Sequence, residues 1–78
     1  MMNNFPPRSA IERVKKEYPA GTRVELVRMD DPYSRIPPGT RGTVRVVDDI
    51  GTIFVSWENG SSLGVVYGVD IIKKVNAE

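Results

Sequence analysis

Histidine and cysteine are both absent from this chain of 78 residues. Their absence removes the commonest metal ligands, every cysteine-type zinc site and any disulfide. It also removes the nucleophile–base pairs that most often drive hydrolytic chemistry. No phosphate-cradling G-x-x-x-x-G-K is present, and no D-x-D-x-D-G loop of the calcium-binding type. A charge excess is missing too: 11 basic side chains face 10 acidic ones, a net charge of +1. Proteins that hold nucleic acid by neutralising phosphates usually show a clear basic surplus. No apolar run approaches the roughly 20 residues that span a bilayer. The N-terminal MMNNFPPR lacks a basic region followed by an apolar one, so no signal peptide is expected. The lack of cysteine fits a reducing compartment. These absences set the expectation of a cytoplasmic, single-domain protein that is not an enzyme, spans no membrane and carries neither cofactor nor metal.

The charge that is present is uneven. Residues 1–20 carry Arg8, Arg13, Lys15 and Lys16 against Glu12 and Glu17, which is +2; the rest carries 7 basic and 8 acidic groups, which is −1. The first segment, residues 1–8, ends in Phe-Pro-Pro-Arg and is expected to be flexible. Residues 9–18 then read as a helix. Ser9 and Glu12 have the capping-box spacing, Ile11, Val14 and Tyr18 share one face, and Pro19 and Gly21 end it. That thin stripe needs a surface to pack on, either the rest of the chain or a second copy in a weak homodimer.

From Thr22 the hydrophobic period changes to two. Val24 and Leu26 alternate with Arg23 and Glu25, Val44 and Val46 with Arg45, and Ile53, Val55 and Trp57 with Phe54 and Ser56. Residues 61–67 and 71–75 supply two more short strands, and Asn59-Gly60 is a strong hairpin signal. Five strands, a long first connection and short later turns predict a mainly β domain over 21–76: a small five-stranded SH3-like antiparallel barrel with one N-terminal helix.

The long connection, MDDPYSRIPPGT, carries the candidate chemistry. Asp30 and Asp31 before Pro32 are good turn starters, and Gly39 and Gly42 permit a reversal. The same loop offers a ligand surface: Tyr33 with Trp57 and Tyr67 as aromatic walls for an extended peptide, and Asp30 and Asp31, helped by Asp48 and Asp49, as partners for a basic residue. Trp57 has a second reading, since Trp in a small β domain usually buries most of its surface. The alternative is a nucleic-acid accessory protein. Arg23, Arg28, Arg35, Arg41 and Arg45 fall on the first two strands and their loop, where they would make one positive face in a near-neutral chain. Ordinary solvated strand positions would look the same. The expected partner is another protein or peptide, with nucleic acid second.

Five motifs carry a family resemblance: Pro19-Ala20-Gly21-Thr22-Arg23-Val24, Met29-Asp30-Asp31-Pro32-Tyr33, Pro37-Pro38-Gly39-Thr40-Arg41-Gly42-Thr43-Val44, Trp57-Glu58-Asn59-Gly60-Ser61-Ser62-Leu63, and Gly68-Val69-Asp70. Across about Tyr18 to Val75 the chain resembles the bacterial and phage family known as domain of unknown function 4314. The resemblance implies a small protein of Firmicutes, their phages or mobile elements. It is consistent with an SH3-like barrel and brings no catalytic residues with it.

Overall fold

The computed structural model describes residues 7–30, 36–66 and 68–75. They form one helix and five strands: α1 Arg8–Glu17, β1 Arg23–Arg28, β2 Arg41–Val47, β3 Ile53–Trp57, β4 Gly64–Val65 and β5 Ile71–Lys74. All pairings are antiparallel, in one sheet of order β4-β3-β2-β1-β5. The mainly β expectation with a single helix holds. Among the described residues the sheet is open, with β4 and β5 as its two edges and no ladder between them.

α1 starts two residues earlier than the capping-box spacing implies. Its N-cap is Pro7, which has no side-chain acceptor, so the pattern at Ser9 and Glu12 is two positions out of place. The Pro7 carbonyl instead accepts from Ala10 N (3.0 Å) and Ile11 N (3.1 Å). Ala10, Ile11 and Val14 are buried within the chain, and Val14 joins the central core. The apolar stripe is thus covered intramolecularly, and Lys15 adds an ion pair to Asp49 in the β2–β3 turn (3.0 Å). Tyr18 follows the helix, half-buried, with the Lys74 ammonium 5.4 Å from its ring centre. Partial burial, and then the Glu17 carboxylate beside it, raise the Tyr18 hydroxyl above its ordinary pKa.

β1 and β2 are each entered through the same turn. Pro19-Ala20-Gly21-Thr22 and Pro37-Pro38-Gly39-Thr40 both place glycine at positive φ (+94° and +93°), as the third position of a type II turn requires. In both, the Thr backbone N–H and Thr Oγ1 donate to the Pro carbonyl. The glycine then reaches across the sheet: Gly21 N donates to Val44 O while Val44 N donates to Thr22 O, and Gly39 N donates to Leu26 O while Leu26 N donates to Thr40 O. Each turn therefore runs into a bulge with glycine in the left-handed region, and the two clamp opposite ends of the same strand pair.

The core gathers Val24, Leu26, Val44, Val47, Ile53, Val55, Trp57 and Val65 from the sheet, Val14 from α1 and Ile36 from the β1–β2 connection. Ile36 anchors that connection after its described part resumes. The expectation for Val46 is corrected. A register shift between Val44 and Val46 turns Val46 to the outer face opposite Phe54 and sends Val47 inward. Leu63 is half-buried and packs against the core from just before β4.

β4 is much shorter than the 61–67 run suggested, because the neighbouring backbone groups are engaged elsewhere. Leu63 O accepts from the Trp57 indole (2.9 Å), while Val66 O accepts from Val69 N and Asp70 N. Ser61 N is held by Asn59 Oδ1 (3.0 Å) in the hairpin turn, as its turn chemistry implied.

Candidate functional site

Of the expected aromatic walls, Tyr33 and Tyr67 lie outside the described residues, as do Asp31 and Arg35. Trp57 is corrected to the interior. It is 3% exposed, packs in the core and donates its indole N–H to Leu63 O, so it presents no surface to a ligand. Its phase along β3, shared with Ile53 and Val55, already pointed inward.

The arginines are largely committed to carboxylates. Arg23 bonds Glu58 and Thr43 Oγ1, Arg41 reaches Glu25 (3.3 Å), Lys73 approaches the same Glu25 (3.7 Å), and Arg28 lies 3.8 Å from Asp30. Apart from the local Arg28–Asp30 pair these join residues distant in sequence; they are at least partly solvated and each is worth little alone. Arg45 bonds Ser56 Oγ (3.3 Å) and has no carboxylate partner among the described residues.

The β2–β3 turn uses Asp48 as a backbone acceptor: its Oδ1 takes Ile50 N (3.1 Å) and Thr52 N (2.8 Å). With Asp49 tied to Lys15, neither carboxylate is placed near Asp30. Gly60-Ser61-Ser62-Leu63-Gly64 has the spacing of a nucleophile elbow. It leads from a hairpin into β4, not from a strand into a helix, and no histidine exists to activate a serine. Among the described residues no three His, Cys, Asp or Glu side chains converge on a metal-sized point. Nor is any helix among them long and apolar enough to cross a membrane.

Asp30 sits at the end of β1, and what holds it was not legible locally. Its N–H donates to Asp70 Oδ1 (2.9 Å), and Asp70 Oδ2 accepts from Val66 N (2.8 Å). One carboxylate therefore ties the exit of β1 to the exit of β4 across the open side of the sheet. Asp70 also closes its own turn by donating its N–H to Val66 O (3.0 Å). Asp70→Ala is expected to cost about 2 kcal/mol, because hydrogen bonds to a charged acceptor are worth more than neutral ones. Urea denaturation measures the loss, and amide exchange at Asp30 and Val66 should accelerate together. Faster exchange at only one of them would show that the carboxylate does not act as a bridge.

Beside that bridge lies a groove of about 240 Å³ lined by Met29, Asp30, Leu63, Gly64, Val66, Val69 and Asp70. Val66 and Val69, both on this groove, are 48% and 49% exposed. A second hollow of about 220 Å³ lies under α1, between Val14, Tyr18, Ile53, Val65 and Ile72. A third, about 520 Å³, is a wide polar depression outside α1 whose Lys15 and Asp49 pair with each other. The Met29–Val69 groove joins apolar walls, two exposed valines and the largely exposed Asp30 carboxylate beside the Asp70 bridge.

No curated protein and no solved structure matches the chain. One family profile does, from residue 7 to residue 75, and so takes in α1 as well as the sheet. With most of its length covered, the chain belongs to the family described as domain of unknown function DUF4314.

Proposed function

We propose that the chain is a protein-interaction module that holds an extended peptide in the groove between the exits of β1 and β4. The observation that carries this is the groove itself: Met29, Leu63, Val66 and Val69 make an apolar trough at an open side of the sheet, and Val66 and Val69 stand half in solvent. Sheet edges and the troughs beside them are recurrent sites for extended segments. The strand order, the long β1–β2 connection and the short later turns support reading the sheet as SH3-like, with the two edges curling toward each other over this groove. The arginine-face alternative is the weaker one, since Arg23, Arg28 and Arg41 already face carboxylates. The absence of a basic excess supports protein partners over nucleic acid.

The test is capture of partners from the source cell by the tagged chain, against a Val66→Lys, Val69→Lys double variant. Both positions are exposed, so the variant should fold while its trough is blocked. Partners retained by the wild type and lost by the variant are the expected result. Identical capture by both, or capture abolished by nuclease, would remove the groove reading.

A further inference from the structure

We infer that the groove selects a basic peptide, one whose lysine or arginine meets Asp30 while an adjacent aliphatic side chain enters the trough. This rests on the reading above and adds the chemistry of the partner. Two carboxylates, Asp30 and Asp70, line the groove, and among the described residues no cationic side chain does. Their roles differ. Both Asp70 oxygens are spent on backbone N–H groups, at 2.9 and 2.8 Å. The Asp30 side chain is not so held: it is 61% exposed, and its own backbone is fixed by the bond from Asp30 N to Asp70. Asp30 is thus an outward carboxylate on an anchored stem.

Among the described residues its ion-pair partner is Arg28, at 3.8 Å and itself largely solvated. A pair that long and that wet contributes little, so an incoming guanidinium or ammonium displaces or shares it at small cost. A cation arriving with an aliphatic neighbour gains what Arg28 cannot, burial against Met29, Leu63 and Val69. Phosphate backbones and acidic peptides are disfavoured at the same place, because the lining carboxylates repel them. Specificity would then lie in Asp30 and the shape of the trough in Asp70.

The experiment is selection of random dodecamers displayed on phage against the immobilised full chain. The best peptide is then resynthesised and titrated against wild type, Asp30→Asn and Val69→Lys. Asp30→Asn keeps the backbone bond to Asp70 and leaves the trough intact. The expected outcome is enrichment of Lys or Arg beside Leu, Ile or Val. Affinity should fall about tenfold in Asp30→Asn at low salt, with the difference shrinking as salt is added. Peptides lost on Val69→Lys but without basic enrichment, or bound equally by Asp30→Asn, would overturn the basic preference and leave the groove standing. Failure to select any peptide sensitive to Val69→Lys would overturn both.

Discussion

Trp57→Ala is expected to remove most of the stability of the domain. A chain of this size has roughly 4–12 kcal/mol to lose, at roughly 0.05–0.15 kcal/mol per residue. Truncating a buried aromatic to alanine costs about 3–5 kcal/mol through lost transfer energy and the cavity left behind. Here a second loss is added. The indole N–H is the donor to Leu63 O, in the segment that leads into the two-residue strand β4, and alanine leaves that carbonyl without it. The cavity would open beside Gly42, which has no side chain to fill it and whose would-be Cβ lies 3.0 Å from the ring. Trp57→Phe separates the two contributions. It keeps much of the apolar area but not the donor, and should cost about 1–3 kcal/mol, the range for an unsatisfied buried acceptor. Urea denaturation followed by far-ultraviolet circular dichroism measures both variants. Because Trp57 is the sole tryptophan, its fluorescence independently reports the wild-type transition. A loss below about 1 kcal/mol for Trp57→Ala would mean the ring is not part of the folded core.

Much of this fold was visible in the residues. The period-two runs placed Val24, Leu26, Val44, Ile53 and Val55 correctly in the interior, because a strand buried on one face has little choice of register. They failed at Val46, where a bulge inserts one residue and inverts the alternation; Val47 broke the polar face of this run, but that alone does not say which of the two valines points inward. The Ser9–Glu12 spacing misled for a similar reason. A capping box is defined by where the helix begins, and proline at the N-cap moved that point to Arg8. Ile36 was hidden because a single apolar residue in a polar loop has no periodicity to announce it. The paired Pro-x-Gly-Thr turns, by contrast, stand in plain view as a repeated four-residue word, yet only the hydrogen bonds show that the two copies brace one another.

The site was less legible, and the reason is distance along the chain. Asp30 could be picked out from its own loop, but its anchor, Asp70, lies 40 residues away. Gly-Val-Asp before a strand reads only as a turn. Likewise, Met29, Leu63, Val66 and Val69 come from three separate segments, and no one of them predicts a trough. The edges show the same division of labour. β4 is two residues long and β5 carries Lys73 and Lys74, both common ways of discouraging uncontrolled pairing at a free edge. Under the proposed reading, such protection would leave the groove at the exits of β1 and β4, where Asp30 sits, as the place for a partner.

Gly42→Ala is the second substitution expected to have a large effect, and its cause is purely steric. Gly42 is buried in β2 opposite Trp57, and its φ lies outside the left-handed region. A Cβ there would stand 2.6 Å from Val55 Cγ1, 2.7 Å from the Ser56 carbonyl oxygen and 3.0 Å from Trp57 Cε3. A side chain can rotate out of the way, but the Ser56 oxygen belongs to the neighbouring strand and moves only with the ladder. Overpacking a core usually costs about 1–3 kcal/mol, and a clash with backbone belongs at the top of that range. Gly39→Ala is the matched contrast. At φ +93° with no atom within 4 Å of its would-be Cβ, it pays only the left-handed penalty, about 1–2 kcal/mol. The two glycines therefore resist substitution for opposite reasons, and a second mutation tells them apart. Val55→Ala removes the nearest side-chain clash, so Gly42→Ala should cost less in that background, with a coupling of about 0.5–3 kcal/mol. Gly39→Ala, far from Val55 in its contacts, should cost the same in either background. Equal additivity for both glycines in chemical denaturation would show that β2 and β3 do not approach as closely as the Gly42 contacts require.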